Sequence, residues 1–200
     1  AYRKEQLPIE KILTGIKKMP IPRNFKLAIS KPNRINLIAE IKKASPSAGA
    51  IVKELDVKKI AKEYEKAGAN AISVLTETKY FQGNILDIGT AKKATQIPIL
   101  RKDFIIDEYQ IYESRYFGAD AVLLIAAILD RRQIENFLGI VKKLKLSAIV
   151  EAHNENELKK VLKTPAKIIG LNNRNLSNLI VDLTTTYRFA QKIPKDKIIA

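Results

Sequence analysis

The residues of this sequence best equipped for acid–base chemistry, its lysines and carboxylates, stand directly after short apolar runs. Glu40 and Lys42 follow Ile35 to Ala39, Thr76 and Glu77 follow Ala71 to Leu75, and Lys102 and Asp103 follow Ile97 to Leu100. Glu151 follows Ala148 to Val150, Asn172 and Arg174 follow Ile168 to Leu171, and a further run ends at Ile125. Lysines and carboxylates gathered at one mouth perturb each other's proton affinities, as general acid–base catalysis requires. Other chemistries lack their residues. With no cysteine, disulfides, thiol catalysis and Cys-ligated metals are excluded. The single histidine, His153, leaves no cluster for zinc or non-haem iron, so no metal and no cofactor is expected. Lying past a strand end, His153 suits a capping or surface role better than a catalytic one.

The apolar runs are the elements that must hold these residues. Near-continuous Ile, Val and Leu over four or five positions suits strands buried on both faces, as in a parallel sheet. Seven such runs occur, the last at Lys197 to Ala200. Helical patterns lie between them: Ile60, Tyr64 and Ala67 share a face, as do Ile134, Phe137, Leu138 and Val141, and Leu158, Val161 and Leu162. Asp130 and Asn154 stand where N-caps belong. An internal echo relates Gly68-Ala69-Asn70-Ala71-Ile72 to Gly118-Ala119-Asp120-Ala121-Val122, 50 residues on. Each copy has a glycine where a helix would end left-handed, and then a strand.

The count is six βα units and a seventh strand. No strand pair carries an Asn-Gly or Asp-Gly hairpin signal, so the connections read as crossovers. An open doubly wound sheet and a (β/α)8 barrel both fit. No two of the eight glycines lie within two residues of each other, which excludes the G-x-G-x-x-G fingerprint, and no P-loop pattern exists. The barrel is favoured. It demands chemistry at the C-terminal ends of its strands, where the charged residues stand.

At 200 residues and 22.5 kDa, 46% apolar and 28% charged, the chain reads as one globular domain over residues 1–200. Residues 1–34 form a helical extension and residues 35–200 carry strands one to seven. The longest apolar run, Ala121 to Leu129, is too short to span a bilayer, and the polar start shows no secretory signal. A cytoplasmic protein without membrane partners is expected. The net charge of +15 attracts anions, either nucleic acid or a small phosphorylated substrate. The 27 lysines against nine arginines suit lysines scattered over solvated faces. Charge alone does not choose between the two.

The strand-end motifs carry a resemblance. The segment Ile38-Ala39-Glu40-Ile41-Lys42-Lys43-Ala44-Ser45-Pro46-Ser47 resembles the first-strand motif of indole-3-glycerol phosphate synthase, the (β/α)8 carboxy-lyase of tryptophan biosynthesis. The similarity continues through Ser73 to Gly83, Pro98 to Ile105, Gly118 to Ile125, Val150 to Asn154 and Ile169 to Leu176. The implied reaction closes and decarboxylates 1-(2-carboxyphenylamino)-1-deoxyribulose 5-phosphate, then eliminates water. The resemblance implies Lys102 as general acid and Glu151 as the carboxylate handling protons in the later steps. It implies Lys42 as partner of the substrate carboxylate and a second acid, and Glu40 as the group holding both lysines. Asn172 would bond substrate hydroxyls, Arg174 would line the mouth and Ser45 would meet the phosphate. Phe81, Phe104, Leu123 and Ile125 would form the wall against the aromatic ring. A monomer that associates with other tryptophan-pathway enzymes is implied as well.

The family's Glu-Ser pair after strand seven and its Gly-Ser phosphate cradle after strand eight would fall beyond Ala200. The expectation is therefore a barrel whose part from the end of strand seven onward is missing from this chain, inactive if the polypeptide stopped there. Three other classes stay open. A phosphoribosyl isomerase would share phosphate binding without the aromatic pocket. A class I aldolase would form a Schiff base on Lys102, trapped by borohydride. A basic nucleic-acid-binding protein would show steep salt dependence on random DNA.

Overall fold

In the computed structural model, residues 2–46, 48–174 and 180–200 are described. Three helices come first: α1 (Tyr2–Gln6), α2 (Ile9–Ile16) and α3 (Phe25–Ala28). Strand β1 (Ile38–Ile41) follows, then a small hairpin of β2 (Ala44–Ser45) and β3 (Gly49–Ala50). From there strand and helix alternate: α4 (Val57–Lys66), β4 (Ala71–Leu75), α5 (Leu86–Ala94), β5 (Ile99–Lys102), α6 (Glu108–Tyr116) and β6 (Ala121–Ile125). The series continues with α7 (Arg131–Lys143), β7 (Ser147–Ala152), α8 (Glu155–Leu162), β8 (Ile168–Leu171), α9 (Thr184–Ala190) and β9 (Ile198–Ile199).

Seven strands form one sheet in the order β1-β4-β5-β6-β7-β8-β9, and every ladder in it is parallel. Spatial order equals chain order. A doubly wound sheet reverses direction at a switch point, and none exists here. The curled, singly wound sheet with six helices between its strands is the architecture of a (β/α) barrel. Among the described residues β1 and β9 are its two ends, and no helix is long and apolar enough to cross a membrane.

Alternation along the strands separates an inner from an outer face. Ala71, Leu100, Ala121, Leu123, Ile125, Ile149 and Ile168 pack together inside the curl. Their neighbours face the helices: Ile72, Val74 and Ile99 meet α4 and α5, while Val122, Leu124, Val150 and Ile169 meet the faces of α6 to α9. Both strands β4 and β6 are buried at every position, as near-continuous apolar runs require. The floor of the curl is closed by α3, whose Phe25 is fully buried beside Ile29 against the inner residues. Asn24 caps that helix through the Leu27 N–H at 2.9 Å.

The echo of 50 residues is a structural repeat. Gly68 and Gly118 have φ of +90° and +98°, ending α4 and α6 in the left-handed conformation. Asn70 and Asp120, two residues on, each accept a backbone N–H from the neighbouring strand's start, Leu37 at 2.9 Å and Ile99 at 2.8 Å. Asp120 has a second duty, since it takes the Arg23 N–H at 2.6 Å and the Lys92 ammonium at 2.5 Å. The Arg23 guanidinium adds bonds to the carbonyls of Ile97 and Lys92, so the segment leading into α3 is tied beneath the sheet. Asp130 and Asn154 cap α7 and α8 as expected, Asp130 within a capping box.

Three boundaries differ from the sequence expectation. β1 begins at Ile38, not Ile35, whose side chain is 93% exposed. Leu37 is bonded to Asn70, and ladder pairing begins only at Ile38. The β2–β3 hairpin has no Asn-Gly signal and turns instead with Gly49 at φ +64°. Finally, β1, β5 and β7 run past their apolar stretches. Ladder pairing continues through Glu40, Lys102 and Glu151, which register with Ser73, Leu75 and Ile125. The charged residues therefore sit within strand ends, on fixed backbone.

Candidate active site

The alternation that fills the interior also fixes what rises into the mouth. On β1 the inner positions are Ile38 and Glu40, on β5 they are Leu100 and Lys102, and on β7 they are Ile149 and Glu151. Gly170 leaves room beside Ile149 and Glu151 on the neighbouring strand, because a Cβ there would press on the Ile149 side chain. Above this layer a cleft of about 1030 Å³ is lined by Glu40, Lys42, Ser45, Phe81, Lys102, Phe104, Leu123, Ile125, Asn172 and Arg174, among others. A deeper chamber of about 290 Å³ is lined by Glu40, Lys102, Leu123, Glu151 and Asn172. The structure thus brings all eleven residues singled out in the sequence to one end of the barrel.

Glu40 divides its carboxylate between the two lysines. Lys42 Nζ lies 2.7 Å from Oε1 and Lys102 Nζ lies 3.3 Å from Oε2. Each lysine side chain is about one-third exposed, and its ammonium, oriented by Glu40, has three donors, enough for a ligand as well. The main chain at Glu40 is itself held, since Tyr64 Oη donates to its carbonyl at 3.0 Å.

Glu151 is only 13% exposed, and its Oε1 accepts from Asn172 Nδ2 at 3.3 Å. Burial pushes the carboxyl's pKa up. The hydrogen bond with His153, the charges of Lys102 and His153, and the Asn172 amide outweigh that and hold it below the ordinary carboxylate value. His153 is not at the surface. Its side chain is 5% exposed, with Nε2 3.0 Å from Glu151 Oε1 and Nδ1 3.0 Å from Glu157 Oε2. Burial opposes its charge, but the two carboxylates prevail and raise its pKa. The expected surface role is corrected: β7 extends to Ala152, and the turn into α8 folds the ring back between two acids.

The apolar wall is arranged by side-chain carboxylates gripping loop backbone. Glu77, at the end of β4, accepts the N–H groups of Lys79, Tyr80 and Phe81, and Phe81 returns its carbonyl to the Ala44 N–H at 3.2 Å. The Phe81 and Phe104 rings lie 6.5 Å apart, tilted by 47°. Behind Lys102, the fully buried Arg101 binds Asp103, Glu113, Ser114 and Thr76, and Thr76 donates to Asp103 at 2.6 Å. That network fixes the exit of β5 and therefore the direction of Lys102. Ser45 lies in β2 at the cleft rim, and Arg174 borders the cleft beyond Asn172 Oδ1, which accepts its N–H at 2.9 Å. Ser47, Asn175 and Leu176, which belong to the quoted motifs, lie outside the described residues.

A family model for indole-3-glycerol phosphate synthase matches residues 1–200. The chain belongs to the indole-3-glycerol phosphate synthase family. Curated relatives of that name include the protein of Caldanaerobacter subterraneus subsp. tengcongensis, 52% identical over 176 residues, covering 88% of this chain and 68% of the relative. The Campylobacter fetus subsp. fetus protein is 46% identical over 196 residues, 98% of this chain and 76% of its own length. That of Endomicrobium trichonymphae is 53% identical over 175 residues, 88% and 67% respectively.

For a member of the indole-3-glycerol phosphate synthase family, sequence reasoning passes over three features of this mouth. Glu157 reads only as part of a helix face, although it stands four residues after His153, the spacing at which helix-start side chains meet. Glu77 stands at a strand end in the sequence, but no spacing rule announces its grip on loop backbone. Ser73, 4% exposed, lines the deeper chamber, and its hydroxyl has no hydrogen-bond partner among the described residues.

Proposed function

We propose that this mouth converts 1-(2-carboxyphenylamino)-1-deoxyribulose 5-phosphate into indole-3-glycerol phosphate, with Lys102, Lys42 and Glu151 carrying the proton and charge traffic. Family membership gives the activity, that of a carbon–carbon lyase. The division of labour among residues is the proposal. The observation that supports it best is the Glu40 bridge, which holds two ammonium groups side by side between an apolar wall and a buried carboxylate.

The ring carbon bearing the carboxylate attacks the ribulose carbonyl, and a carbon–carbon bond forms. The carbonyl oxygen takes a proton from Lys102 and becomes a hydroxyl. Carbon dioxide then leaves, its bonding electrons returning to the ring, with Lys42 paired to the carboxylate until that step. Dehydration remains: Glu151 accepts a proton from carbon as the hydroxyl departs, and that proton can leave with it as water. One proton is consumed net, delivered through Lys102. Phe81, Phe104, Leu123 and Ile125 receive the aromatic ring, Asn172 bonds hydroxyls, Ser45 meets the phosphate and Arg174 borders the opening. The same reading carries a cytoplasmic monomer acting on a small phosphorylated substrate beside other enzymes of its pathway, without nucleic acid or membrane partners.

Glu151→Gln tests the assignment. It keeps shape and hydrogen bonding but cannot accept a proton, so substrate still binds while kcat falls by roughly 100-fold or more. A folded Gln variant that keeps most of its kcat from about pH 6 to 9 removes Glu151 from proton transfer.

A further inference from the structure

The carboxylate chemistry of the mouth extends past the residues that line it. Neither His153 nor Glu157 borders the cleft or the chamber beneath it. Yet the imidazole stands in line between Glu151 and Glu157, 3.0 Å from each, with all three side chains at least 86% buried. Glu157 is anchored in turn. Its Oε2 accepts the His153 N–H at 2.8 Å and its Oε1 accepts from Asn154 Nδ2 at 2.6 Å, at the capped start of α8.

This geometry selects a protonation state. A neutral imidazole has one N–H, so one ring nitrogen would turn a lone pair toward a carboxylate; the imidazolium donates to both. The Asn172 amide is oriented by its Oδ1, which accepts from Arg174, so Nδ2 donates to Glu151 Oε1. His153 Nε2 and Asn172 Nδ2 are therefore two donors converging on one oxygen, 3.3 Å from each other. The groups facing the ring are Glu151 from β7, Glu157 from α8 and Asn172 after β8, and Lys102 from β5 acts on the same Glu151.

We propose that His153 is a positioning residue for Glu151, held as an imidazolium by Glu157, and that this Glu157–His153–Glu151 line keeps the Glu151 carboxyl ionised and aimed into the barrel mouth. The proposal rests on the reading of Glu151 as the proton-handling carboxylate. Its chemical content is a linkage between α8 and turnover. When Glu157 is ionised, the imidazolium is favoured and the Glu151 carboxylate is favoured with it. When Glu157 loses its charge, His153 holds its proton less tightly, and Glu151 faces burial with only Lys102 and Asn172 in support.

The test uses the whole protein without a histidine tag and follows the His153 ring protons by NMR, assigned by their loss in His153→Gln; His153 is the one histidine of these 200 residues. In the unaltered protein the titration midpoint lies above the ordinary value of about 6.5. In Glu157→Gln and in Glu151→Gln it moves down, because each removes one facing carboxylate. In kinetics, His153→Gln and Glu157→Gln both shift the acidic limb of the kcat profile to higher pH. Each lowers kcat near neutrality by about tenfold with KM changed less. A merely structural role would lower the melting temperature and activity alike at every pH, with the limb unmoved. An unmoved limb in folded Glu157→Gln, or an unaltered protein whose histidine titrates at or below the ordinary value, overturns the proposal even if His153→Gln does not fold. If Glu151→Gln keeps its kcat, the proton-handling reading fails. The NMR shifts still report whether the three side chains are coupled.

Discussion

Lys42 and Lys102 share one carboxylate, and their different places on the backbone predict different failures. Lys102 sits on a strand position paired with Leu75 and backed by the Arg101 network, so its ammonium is aimed by rigid structure. Lys102→Ala is expected to leave the fold intact and lower kcat by about 100- to 10,000-fold, the usual cost of a lost general acid. Steady-state kinetics with a circular dichroism control checks it, and near-normal kcat would acquit the residue. Lys42 follows the last residue of β1 and reaches Glu40 from the loop side. Lys42→Met is expected to weaken substrate binding more than binding of an analogue lacking the carboxylate; equal losses would assign it to general electrostatics. Both lysines are legible in the amino-acid order alone, because each stands two or three residues past a short apolar run, where a strand ends. His153 is not. Glu151 and Glu157 are near it in the chain, but the inward turn of the ring between them and its meeting with Asn172, from after β8, follow no local pattern.

Strands and helices are legible to the extent that burial is two-sided. The runs Ala71 to Leu75, Ala121 to Ile125 and Ile168 to Leu171 coincide with β4, β6 and β8 because the interior covers one of their faces and the helices cover the other. The start of β1 is misleading because Ile35 and Leu37 are apolar but face solvent, where pattern and position part company. The winding is legible only by elimination, from absent glycine fingerprints, whereas the strand order supplies a positive reason. Two glycines separate local propensity from packing. Gly139 lies in the exposed interior of α7, and a Cβ there meets nothing within 4 Å. Gly139→Ala should stabilise the protein by about 0.5–1 kcal/mol, since a glycine in a helix loses more entropy on folding. Gly83 is enclosed: its N–H bonds the Glu77 carbonyl at 2.8 Å, and a Cβ would drive into the Leu75 carbonyl. Gly83→Ala should cost about 1–3 kcal/mol and disturb the loop that presents Phe81. Urea denaturation reads both, and the signs must be opposite.

The net charge of +15 acts on the molecule as a unit, whatever each lysine does locally. A substrate carrying a phosphate and a carboxylate is drawn in by that field, which ions screen over about 8 Å at physiological salt. kcat/KM should therefore fall as ionic strength rises while kcat changes little; a salt-independent kcat/KM would mean that the lysines steer nothing. The tie beneath the barrel has a consequence for how the protein is made. Arg23 and Phe25 leave the ribosome before Asp120, which fastens Arg23 and follows 97 residues later. At 5–20 residues per second that is a wait of roughly 5 to 20 s, during which Phe25 and Ile29 have no floor to close. The stretch around Arg23 thus docks only once the chain has been made as far as Asp120. Nascent chains stalled before Asp120 emerges should be cut by protease near Arg23, and chains stalled well after it should be protected there. What finishes the barrel from below was waiting, already synthesised, for the rest to arrive.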